Sequence, residues 1–85
     1  MNVEEVLEER GAVYGDMVVT HQRIAEVWSG IIGAPVTGHD VALCMVGLKL
    51  VRAACAPDHM DSYLDAEGYT HIARTIAKAW VEKHG

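Results

Sequence analysis

The sixteen residues from Val41 to Ala56 constrain the fold most, because they carry only two charges, Lys49 and Arg52, and no proline. Wound as a helix, this stretch is apolar around most of its circumference instead of along one stripe. A small bundle covers one stripe. Leaving three or four such side chains wet forgoes about 1.5–3 kcal/mol each, a sum comparable with the whole stability of a small domain. The chain has 85 residues, 51% of them hydrophobic, which is room for a single domain. Residues 1–85 are therefore read as one all-α domain, and at this size a lone copy buries only about 60–65% of its unfolded surface. A symmetry-related copy is the simplest cover, giving a homodimer or higher oligomer. The alternative makes this stretch the central helix of a monomer.

Local signals divide the rest into a bundle of three to four helices. Val3, Val6 and Leu7 share one side of a short acidic segment, and Gly11 suits its end, so residues 1–15 read as an N-terminal arm with a short helix. Asp16 is placed to cap a helix over 17–32, whose core stripe is Met17, His21, Ile24, Trp28 and Ile31. Gly33 and Pro35 end it. Thr37-Gly38-His39-Asp40 has the form of a capping box, starting a helix that reaches about Ala56. Gly47, Ala42, Ala53 and Ala54 on it suit close helix approach. Pro57 breaks the chain, Asp58 with Asp61 fits a capped start, and a last helix covers 59–83 with Gly68 as a weak interior position. The last two helices are expected to form an antiparallel hairpin about Pro57.

Charge excludes several classes. A net charge of −5 with no basic run argues against nucleic acid or an anionic membrane as partner. The chain opens without the cationic and apolar segments of a secretion signal, and the apolar run 41–48 is far short of the roughly 20 residues that span a bilayer. A cytoplasmic location follows. Cys44 and Cys55, eleven positions apart, would lie about 16 Å apart along one helix, beyond a disulfide, and are expected as buried thiols. Among the histidines, His21 is expected on a packed face with a hydrogen bond, and His59, near Asp61, is the one closest to a ligand role.

The polar residues of the hairpin form the candidate site. Positions equidistant from Pro57 face each other, so Lys49 lies across from Asp65, and Arg52 across from Asp61 or Ser62. One reading is structural: each charge opposes its local helix dipole, and the ion pairs fix the register of two greasy helices. The other is a polar pocket in which Lys49 and Arg52 receive a phosphate, Asp61 and Asp65 hold Mg²⁺, and Tyr69 and Tyr14 stack a base.

Three blocks, Arg10 to Asp16 with its Tyr14-Gly15-Asp16, then Lys49-Leu50-Val51-Arg52, then Asp61 to Tyr69, resemble a family of small phage-encoded domains of unknown function. Ala66 and Glu67 depart from that pattern, which has an aliphatic and then a small residue before Gly68-Tyr69. The layout is also similar, more distantly, to phage nucleotide-modification-associated domains and to all-α MazG-like nucleotide pyrophosphohydrolases, which hold Mg²⁺ with E-E-x-x-E and a later E-x-x-D. Glu4-Glu5-Val6-Leu7-Glu8 has the first form and Asp58-His59-Met60-Asp61 roughly the second, but the gap between them is far longer than that motif pair tolerates. The resemblance implies a phage accessory protein. Three functions are expected of it: a binder that sequesters a nucleotide-like host signal without turnover, a Mg²⁺-dependent pyrophosphohydrolase, or a protein-interaction module with no small ligand, acting on a host protein.

Overall fold

The computed structural model describes residues 16–84, and these form three α-helices and no strand. Helix α1 is Met17–Ile32, α2 is Gly38–Cys55 and α3 is Met60–His84. The arm and short helix expected over 1–15 lie outside the described residues.

Two of the starts follow local chemistry. The Asp16 carboxylate accepts from the N–H groups of Val18 at 2.7 Å and Val19 at 3.4 Å, two donors that the first turn of α1 leaves without partners. Gly33 closes α1 at φ 77° while its N–H donates to the Ser29 carbonyl. A residue with a Cβ is strained there. Ser29 also ties the connection back: its hydroxyl donates to the Ala25 carbonyl and accepts from the Val36 N–H, both at 2.8 Å. At α2 the capping box is complete, with Thr37 Oγ1 accepting from the Asp40 N–H at 3.1 Å and Asp40 Oδ2 accepting from the Thr37 N–H at 3.0 Å. The Thr37 backbone N–H foremost, and then the Thr37 hydroxyl, hold the Asp40 carboxyl below the usual carboxylate range.

The start of α3 corrects the expectation of an Asp58 cap. His59 occupies the residue before the helix, and its Nδ1 shares a 2.9 Å hydrogen bond with the buried Ser62 hydroxyl, while Tyr63 reaches back to donate to the Pro57 carbonyl at 2.9 Å. The bond joins two side chains, the Ser62 N–H being taken by the His59 carbonyl at 3.1 Å, and Asp58 stays exposed.

Packing is tightest between α2 and α3, weaker between α1 and α2, and slight between α1 and α3. The core is Ala42, Ile72 and Ala73, flanked by Met17, Tyr69 and Ile76. Across the described residues four of the six buried apolar side chains are alanines, so the helices come close but remove little apolar area from water. At Gly38 the approach is close: a Cβ would lie 3.3 Å from the Gln22 backbone nitrogen, so a larger residue there needs the two helices to part by a few tenths of an ångström.

Several packing expectations are corrected. Ile31, expected on the core stripe of α1, is 78% exposed. Cys44 and Cys55 are exposed, and Gly47 has open space where a Cβ would stand. All three fall on the side of α2 opposite Lys49 at 100° per residue. Ala54 shares that outer side, whereas Ala42 and Ala53 are buried as close-approach positions.

Candidate functional site

Lys49 and Asp65, equidistant in sequence from Pro57, meet with Nζ and Oδ2 3.1 Å apart. Both side chains are mostly withdrawn from water, at 17% and 14% exposure. An ion pair so placed is held by geometry, since either charge left alone would be stranded in a poorly solvated seam. Asp65 makes a further interaction beyond this pair.

The second expected rung does not form. Arg52 and Asp61 are both exposed, and Lys49–Asp65 is the only ion pair among the described residues. The reason lies in rotation about α3. The inward stripe runs Ser62, Asp65, Tyr69, Ile72, Ile76, so the buried Ser62 takes the inner position and Asp61, one residue away, is turned out by about 100°. Arg52 and Asp61 then sit in the last and first turns of their helices, each opposing the local dipole charge in water. Asp61 and Asp65 are one turn apart on α3, but Asp65 is directed to Lys49. Among the described residues no group of three or more His, Cys, Asp or Glu side chains is placed to hold a metal ion. His59 is engaged with Ser62.

Tyr69 lies one turn beyond Asp65, half-buried, with its ring edge-on to the His21 imidazole at a centroid distance of 5.8 Å. Tyr14 lies outside the described residues. His21 is buried as expected, its Nδ1–H donating to the Met17 carbonyl at 2.7 Å. Because a carbonyl only accepts, that bond puts a proton on Nδ1. Nε2 is buried without a partner among the described residues. His21 thus extends the polar strip of Lys49, Asp65 and Tyr69 onto a third helix. Its position on the apolar stripe of α1 was readable in the sequence, but its nearness to Tyr69 is tertiary and had no local signal.

A shallow groove follows the seam between α2 and α3. One part, about 430 Å³, is lined by Val46 and Leu50 from α2 and by Ala66, Glu67, Thr70 and Arg74 from α3. A second, about 340 Å³, involves His39, Ile76, Ala77, Trp80 and Val81. No helix among the described residues is long and apolar enough to cross a membrane.

Among the described residues these observations define a small all-helical fold with a thin core, one internal ion pair and extensive exposed apolar surface. The chain belongs to the family DUF6378, a domain of unknown function, which it matches over residues 2–77. It is 35% identical over 71 residues to the Gene 55 protein of Mycobacterium phage L5, an alignment covering 81% of this chain and 46% of that protein. The chain thus spans about half the length of that relative, and the family is one that phages encode. No solved structure matches the chain.

Proposed function

We propose that this chain is a phage accessory protein that works in the host cytoplasm as a self-associating helical interaction module. In this reading α2 and α3 are an antiparallel hairpin, and the Lys49–Asp65 pair is the register lock between them. One observation carries it: twelve large apolar side chains, Leu43, Leu48, Leu50 and Val51 of α2 among them, are between 43% and 78% exposed, while Val41 and Ile72 are the only large apolar residues buried among the described ones. Surface of that extent on a small domain marks an interaction face. The test is solution mass by sedimentation, together with a thermal-shift panel of nucleotides with and without Mg²⁺. An assembly larger than one chain with no nucleotide response supports the module.

A second reading is favoured by His21. A buried imidazole whose Nε2 has no partner among the described residues, edge-on to Tyr69 and one turn of α3 from the Lys49–Asp65 pair, suits a ligand that brings a hydrogen-bonding group and an anionic group, as a nucleotide does. Lys49, Arg52 and Tyr69 would then be its contacts, with Asp61 and Asp65 taking Mg²⁺. Nucleotide-dependent stabilisation without turnover supports sequestration of a host signal. Release of pyrophosphate supports the MazG-like hydrolase instead.

A further inference from the structure

The groove along the α2–α3 seam has one apolar bank and one charged bank. Val46 and the 57%-exposed Leu50 form the first; Glu67 and Arg74, both exposed, stand on the second. Glu67 and Arg74 are seven residues apart on α3, about 10.5 Å along the helix, too far to pair with each other. Neither forms an ion pair with a described residue, and the recorded side-chain bond of Arg74 is to its neighbour His71, at 3.1 Å.

The sequence of α3 is self-complementary when read backwards. Take the point midway between Thr70 and His71 as a two-fold axis and lay a second α3 antiparallel on the first. Glu67 then faces Arg74 of the copy and Arg74 faces its Glu67, while Met60, 64% exposed, faces Val81, 56% exposed. Tyr63 faces Lys78, both exposed on the same side of α3 as Glu67 and Arg74. No like charges oppose each other among the equidistant pairs of this outer side, Met60 with Val81, Tyr63 with Lys78, Glu67 with Arg74 and Thr70 with His71. Acids at the start and bases at the end of a helix are expected from its dipole. Glu67 and Arg74 sit mid-helix, where the dipole gives no such preference, so their complementarity is an independent observation. A two-fold interface must pair a patch with itself, and this one does.

We propose that a second copy of this chain docks here, its α3 lying antiparallel to α3 along the groove, with reciprocal Glu67–Arg74 pairs flanking the axis and Val46 and Leu50 covered from the side. The proposal rests on the self-association put forward above and assigns one surface to it, with Leu48 and Val51 on the far side of α2 lying outside this contact. Electrostatic complementarity of this kind sets register and partner choice.

The test is charge reversal and exchange in the full chain. Glu67→Arg and Arg74→Glu each place like charges opposite each other twice per dimer, and sedimentation equilibrium should show dimer affinity weakened by at least about tenfold. The double variant, Glu67→Arg with Arg74→Glu, recreates both pairs and should return affinity to near that of the unaltered chain. Far-UV circular dichroism on each protein controls for folding, which these exposed positions should leave intact. If the unaltered chain assembles but the single reversals do not weaken it, or the exchange does not restore it, this surface is wrong while self-association stands. A monomeric unaltered chain overturns both.

Discussion

The two faces of α2 carry residues in the opposite order from a self-sufficient bundle helix. Toward its neighbours α2 presents Val41, Ala42, Lys49 and Ala53, which are buried or nearly so; away from them it presents Leu43, Leu48, Leu50 and Val51, at 47–62% exposure. Small side chains lie inside and large ones outside. The inner face gains close approach and an ion pair that fixes register, which contributes specificity more than burial. The outer face holds most of the apolar area and stabilises the fold only if something covers it. The described helices therefore fold on a narrow seam, and the larger apolar surface outside it is what the proposed self-association would cover.

Breaking the inner face should have the largest effect. Asp65→Asn leaves the Lys49 ammonium in the seam without its counter-charge, and is expected to cost about 3–5 kcal/mol, read as a large fall in Tm. A Tm unchanged from that of the unaltered chain would mean that the pair does not organise the seam. Ile72→Ala removes the largest side chain of the small core, for an expected loss of about 2–4 kcal/mol by denaturant titration. On the outer face Val51→Ser should barely alter the stability of the isolated chain, within about 0.5 kcal/mol, yet lower the midpoint concentration-dependently if association covers it.

How far each face was readable in the sequence follows from the range of the interactions. Helix ends were legible where a side chain or a glycine within a few residues sets them: Asp16, Gly33 and the Thr37–Asp40 box stand where the sequence put them. The start of α3 was not: Asp58 is of the residue type that caps, yet the bond found there joins the side chains of His59 and Ser62. At the candidate site, Lys49 opposite Asp65 followed from counting residues about Pro57. Arg52 opposite Asp61 failed because a rotation of one residue decides which of Asp61 and Ser62 faces inward, and that is set by packing with α2. The approach of Tyr69 to His21 joins two helices distant in sequence and could not be counted.

Smaller effects sharpen the comparison at the helix ends, which belong to neither face. Gly33→Ala should cost about 1 kcal/mol for its left-handed backbone. Thr37→Ala should cost about as much by opening the capping box. The other half of the box depends on pH. The Asp40 carboxyl sits below its ordinary value in the folded chain, so its contribution is present above the unfolded pKa and is lost as pH falls through the folded one. Thermal melts from about pH 5 to about pH 2 should therefore show Asp40→Ala and the unaltered chain converging in acid. A gap that widens in acid would contradict the assignment.

The most direct test of whether the large residues of α2 need a cover is the mass of the folded chain in solution at micromolar concentration. A particle of at least twice the 9.3 kDa chain mass is expected, dissociating on dilution with loss of stability. A single 9.3 kDa species with a concentration-independent Tm would contradict it.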